Sequence, residues 1–150
     1  MLFTVTVLTQ INALKRIKMF HIAILRKKYF NLILNGKKTI ESRFSYNKIA
    51  PYKQVEVGET IYLKESGKNI TAKARVKDVK FFELNPAIVE DIRVKYGADI
   101  GVTDVGAWEE TKQKRFGTLV WLENVETINE IKVNRSCGTA WFVLENDLNV

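Results

Sequence analysis

The sequence predicts an α+β fold built on a bent sheet or small barrel, and two observations carry that expectation. The apolar patterns run in the order strand, helix, strand, hairpin, helix, strand, strand. Parallel α/β winding needs a helix between nearly every pair of strands, and this order supplies too few. The clearest local signal is antiparallel: two β-forming runs, "TIYLKES" (60–66) and "NITAKARVKDV" (69–79), flank Gly67-Lys68 as a hairpin.

Each element has its own reason. "FHIAIL" (20–25) reads as a strand with large apolar residues on both faces. "RKKYFNLILN" (26–35) reads as a helix, because Tyr29, Leu32 and Ile33 share one face and Phe30 and Leu34 another. Gly36 follows where a left-handed residue ends a helix. "TIESRF" is a short strand, and a loop with Pro51 and a Gly58 turn leads to the hairpin. In its second strand Ile70, Ala72, Ala74 and Val76 alternate with Thr71, Lys73, Arg75 and Lys77, giving a half-buried strand with a cationic outer face. Asn85-Pro86 pairs a capping residue with a first-turn proline and starts a helix over 86–97. "DVGAWEETKQK" is a second short helix, and 115–128 and 139–145 are closing strands.

The 150 residues, 46% hydrophobic and 27% charged, are those of one globular domain able to bury a core. No run of about 18 apolar residues occurs, so no membrane span is expected. Residues 1–18 are apolar with their charges last, whereas a signal peptide leads with them. They read as an extension, an added strand or a loose one, before a single domain over 19–150, with Met19 an alternative start. One cysteine, Cys137, forms no internal disulfide and fits a reducing compartment, so the expected location is the cytoplasm. The net charge of +7 divides into +3 over 1–18, +9 over 19–80 and −5 over 81–150. That asymmetry suits a polyanionic partner as well as a merely solubilising surface.

The octet "GKKTIESR" (36–43) gathers two lysines, a carboxylate and an arginine beside one glycine. In a strand from 39, Thr39, Glu41 and Arg43 face one way and Ile40, Ser42 and Phe44 the other. Lys38 leaves the turn before alternation begins, and its side chain is expected to be exposed. Two readings stand. The lysines complement the dipole of the preceding helix and Glu41–Arg43 is a surface pair worth under about 1 kcal/mol, or the charges hold a ligand.

The stretch "YFNLILNGKKTIESR" resembles the signature of ASCH domains, in which an amphipathic helix leads into Gly-x-Lys-x-x-Glu-x-Arg. Gly36, Lys38, Glu41 and Arg43 fill its four fixed positions, and "VGETIYLKESG", a basic strand, a helical insert and a final aromatic strand follow in the same order over most of 20–145. The resemblance implies a PUA-like barrel with flanking helices and a cleft that accepts RNA or a nucleobase, lined by Lys38, Glu41 and Arg43. Arg43 would fork onto a phosphate or base edge, Lys38 would supply compact charge, and Glu41 would accept from an exocyclic amine. A lone phosphate site would hardly hold a carboxylate at its centre.

Relatives of this kind include amidohydrolases acting on N4-acetylcytidine, whose motif lysine is followed three positions later by threonine, with a distant glutamate. Here Lys38 matches but Glu41 stands in the threonine position, Ser42 points the other way and Thr39 comes too early. Glu90 and Glu109 are candidates for the distant glutamate. A hydrolase acting on RNA or acylated cytidine through Lys38 and Glu41 is therefore the alternative to a binding domain, with a protein-interaction module third.

A base site wants a stacking surface, worth about 1–3 kcal/mol per base. Tyr62, on one face with Lys64, and Trp108 are candidates for the cleft, with Lys64 at its rim; Trp121 and Trp141 read as core. Arg135 and Ser136 could reach a phosphate, though a plain loop is the simpler reading. His21, the only histidine, makes neither a zinc site nor a triad, and no phosphate loop is present. The expected partner is RNA or a nucleoside, with no cofactor and no metal.

Overall fold

The computed structural model describes residues 17–133 and 139–148. In chain order the elements are β1 (Phe20–Leu25), α1 (Lys27–Leu34), β2 (Ile40–Ser45), β3 (Thr60–Glu65), β4 (Ile70–Glu83), α2 (Pro86–Ile100), α3 (Val105–Thr111), β5 (Phe116–Ile131) and β6 (Trp141–Leu144). The expected extension over 1–18 falls largely outside the described residues, as do Arg135, Ser136 and Cys137.

The strands form one mixed sheet in the order β2-β5-β4-β3-β1-β6, with β1 parallel to β3 and every other pair antiparallel. Register shifts interrupt β3–β4 once and β4–β5 three times. Such irregularities bend and twist a ladder, and the sheet curls into a half-barrel. Its terminal strands, β2 and β6, are thereby brought towards one another across an open seam.

One face of the sheet encloses the main core: Ala23, Leu25, Ile61, Leu63, Ala72, Ala74, Val120 and Trp141, closed by Phe30 and Ile33 of α1. Burying each of the two α1 residues contributes roughly 1.5–3 kcal/mol, enough to hold a short helix that would be marginal alone. On the opposite face Ile40 and Leu119 meet Val89, Ile92 and Ile100 of α2 and Trp108 of α3. Ile22, Tyr62 and Ile70 form a third cluster with Phe142 and Leu144.

The helix ends follow the local chemistry. Asn85 accepts from the Ile88 amide, with Pro86 next to it, and Asp104 caps α3 through the Gly106 amide. α2 runs past Gly97, where the sequence places its end, to Ile100, and Gly101 with φ of +80° supplies the left-handed cap. Gly97 lies inside the helix against Trp108, whose ring is in ordinary contact distance, 3.8 Å from where a Cβ would lie.

Candidate functional site

Gly36, also left-handed at φ +80°, ends α1, and the chain folds back on it: the Lys38 amide donates to Leu32 O at 2.9 Å. The next amide, of Thr39, donates to Asp99 O at 2.9 Å, docking the turn against the last residues of α2. This docking decides the fate of Lys38. Its side chain enters the protein and its ammonium donates to Ile100 O at 2.6 Å and Ile40 O at 2.9 Å. Lys38 is 3% exposed, which corrects the expectation of an exposed side chain. It sits at the carbonyl end of a helix, as a dipole argument favours, but the helix is α2 rather than the preceding α1.

β2 then places Glu41 and Arg43 on the core-facing side, opposite Val120 and Thr118 of β5. Thr39 precedes the strand and stays exposed. Glu41 Oε1 accepts from the Ser42 amide at 2.9 Å and stands 3.6 Å from Lys38 Nζ. Glu41 Oε2 lies 3.6 Å from Arg43 Nη2, yet this buried oxygen has no hydrogen-bond donor. Burial lowers the Lys38 pKa, and the Glu41 carboxylate opposes that shift.

Arg43 crosses the seam. Its guanidinium donates to Ile24 O of β1 at 3.0 Å and to Ala140 O, just before β6, at 3.1 Å, and it lies over the Trp141 ring at 5.2 Å. Trp141 is held from below, its Nε1 donating to His21 Nδ1 at 3.0 Å. That bond leaves the His21 proton on Nε2, 2.9 Å from Glu59 Oε1.

A pocket of about 510 Å³ opens at this seam and wraps over the free edge of β2. Lys38, Glu41, Arg43 and Trp108, all singled out in the sequence, line it together. So do Tyr29 and Arg26 of the α1 start, Ser66 of the hairpin and Lys114 after α3. Trp108 is 4% exposed and anchored by its Nε1 to Val102 O at 3.0 Å, which makes it a fixed wall. Ser42 and Phe44, expected to point away, reach the same pocket because it extends around the strand edge.

Tyr62 and Lys64 do not line it. Tyr62 is 3% exposed in the third cluster, its hydroxyl donating to Asp147, and its pKa is raised to about 12 by burial and that carboxylate. Lys64 is buried beside the β3–β4 bulge, between Ile24 and Ile70 in the register. Alternation correctly sets both opposite Ile61 and Leu63, but that face is covered. Lys73 and Arg75 of the cationic strand pair with Glu126 at 3.4 Å and Glu123 at 3.7 Å on β5. Glu90 and Glu109 lie on the helical surface with Arg93 and Lys112 and do not line the pocket. Arg26, Tyr29 and Lys114 were missed by sequence reasoning; the cation just before the helix was the only available signal.

Among the described residues no three His, Cys, Asp or Glu side chains gather as a metal would need, and no helix is long and apolar enough to cross a membrane. A curled mixed sheet with three helices and a charged seam pocket defines a PUA-like α+β domain. The family model of the ASCH domain matches residues 24–132, and the chain belongs to the ASCH domain family. Among solved structures it is similar to the crystal structure of ASCH from Zymomonas mobilis, with a TM-score of 0.65 at 15% identity over 83% of this chain and 87% of that one. Two single-residue variants of that protein give 0.63 and 0.65 at 15% identity, over 83% of this chain and 89% and 87% of theirs. At such identity the likeness is one of fold. A comparison with curated proteins finds no match.

Proposed function

We propose that this ASCH domain binds a nucleobase, carried by RNA or presented as a nucleoside, in the seam pocket, with Glu41 as the group that reads it. The observation that carries this is Glu41 Oε2, a buried carboxylate oxygen without a donor. Leaving such an acceptor unsatisfied costs about 1–3 kcal/mol or more, and an exocyclic amine of a base would supply the missing proton. The 510 Å³ volume falls within the range of small-molecule sites, and Trp108 and Tyr29 offer aromatic walls. Lys38 holds the carboxylate in place rather than touching the ligand, since its protons already face Ile40 O, Ile100 O and Glu41. Arg43 holds the seam while its Nη2, beside Oε2, can share a donor with a ring acceptor.

Titrating the four nucleosides and single-stranded RNA oligonucleotides, at two salt concentrations, tests this. Wild type should saturate with at least one base, and Glu41→Gln should weaken binding about tenfold, or roughly 1.4 kcal/mol. Affinity for oligonucleotides should fall with a log–log slope near −0.7 per neutralised phosphate. No saturable binding to any nucleoside or RNA sinks the reading.

The lowered Lys38 pKa beside Glu41 favours a second reading, a hydrolase acting on RNA or N4-acetylcytidine. Glu41 would take a proton from attacking water and return it to the leaving nitrogen or oxygen, while Lys38 would turn from a carbonyl partner to donate to the oxyanion. Incubating both substrates with wild type and Glu41→Gln decides it: turnover lost in the variant supports the reading, and no turnover, or equal turnover, removes it.

A further inference from the structure

We infer that the rim of the seam pocket is a phosphate subsite formed by Arg26 and Lys114, so that the ligand is a nucleotide with its base inside and its phosphate at the mouth; this rests on the base-binding reading above. The cations that line the pocket fall into two sets. Lys38 and Arg43 flank the buried Glu41 carboxylate, one oxygen of which still lacks a donor, and they already donate to the carbonyls of Ile40, Ile100, Ile24 and Ala140. The other two are not engaged in this way. The Arg26 side chain is exposed, lines the pocket and has no carboxylate partner among the described residues.

Arg26 is also the residue that precedes the first turn of α1, and no side chain caps that turn and no acid lies within it. The first-turn amides and the positive pole of the helix are therefore left without a side-chain cap next to Arg26. From the α3–β5 connection, Lys114 lines the same pocket, held over the Tyr46 ring at 4.1 Å and likewise without a carboxylate partner among the described residues. A free phosphate driven inward would meet Glu41 and two cations that already donate to backbone carbonyls. A neutral nucleoside would leave the rim cations unused. A nucleotide satisfies both ends, and the guanidinium fork suits its phosphate oxygens.

The test compares each nucleoside with its 5′- and 3′-monophosphates, and with inorganic phosphate alone, by calorimetry on the full chain at two salt concentrations. For the base that binds, a monophosphate should bind about tenfold tighter than its nucleoside at low salt, and the advantage should shrink as salt rises. Arg26→Gln and Lys114→Gln should each cut that ratio severalfold with an unchanged melting temperature. Inorganic phosphate bound in an Arg26-dependent manner, with no nucleoside bound, would support the rim subsite while removing the base reading. Equal affinity for nucleoside and monophosphates, or a ratio that survives both substitutions, overturns the inference while leaving base binding intact.

Discussion

The Trp141 indole donates to His21 Nδ1 at 3.0 Å, so the buried imidazole is neutral and its other nitrogen serves Glu59. Protonating Nδ1 would set two donors against each other. Desolvation lowers the His21 pKa below 6.5 and outweighs the attraction of Glu59.

A pH dependence follows. Well above pH 6.5 neither the folded nor the unfolded chain holds the second, charging proton on His21, and this contribution to stability is complete. As pH falls through 6.5 the unfolded chain takes up this second proton while the folded one refuses it, so stability drops until the pH passes the lowered folded value. Urea midpoints at pH 7.5, 6.5 and 5.5 should decline accordingly, and His21→Gln should flatten that decline. An equal decline in both proteins would assign it to other groups.

Lys38 has a structural task as well as a place in the site. Lys38→Met leaves the buried Glu41 carboxylate with Arg43 as its one remaining cation, so the loss should approach the low end of the about 3–5 kcal/mol that removing one partner of a buried pair costs. The double variant Lys38→Met/Glu41→Gln should lose less than the two single losses combined, because the under-compensated charge is gone. Strict additivity in denaturant unfolding would show the pair to be uncoupled.

Arg43→Lys tests the seam. A lysine cannot fork onto Ile24 O and Ala140 O while lying over Trp141, and each lost bond to a charged donor is worth about 1.5–3 kcal/mol. The neighbouring Ile24 amide, which donates to Ala140 O, should exchange its hydrogen faster in the variant. Unchanged exchange there would mean that the strands stay joined without the guanidinium.

Trp108 joins core to pocket, so its variants separate the two roles. Trp108→Phe keeps a ring and loses the bond to Val102 O, at a cost of about 1 kcal/mol. Trp108→Ala should destabilise by roughly 3–5 kcal/mol. If the ring stacks on the ligand, alanine should weaken nucleoside binding by about 1–3 kcal/mol while phenylalanine retains most of it. Equal affinity in both would exclude stacking on this wall.

The sequence determined those features whose causes lie within a few residues. The amphipathic run of α1, its stop at Gly36, the Asn85-Pro86 start of α2 and the Gly67-Lys68 hairpin each depend on neighbours three or four positions away. The motif spacing also set Glu41 and Arg43 on one face of β2. Tertiary structure alone decided which faces would be inside. Lys38 is buried because Ile100, 62 residues on, offers its carbonyl, and Arg43 is a seam bridge because carbonyls 19 and 97 residues away converge on it. Tyr62 and Lys64 have the expected alternation, yet the curl of the sheet covers their side with Ile22, Phe142 and Leu144. Local rules state which side chains share a surface; only closure of the sheet, through bulges and contacts distant in the chain, settles whether that surface meets water, core or ligand.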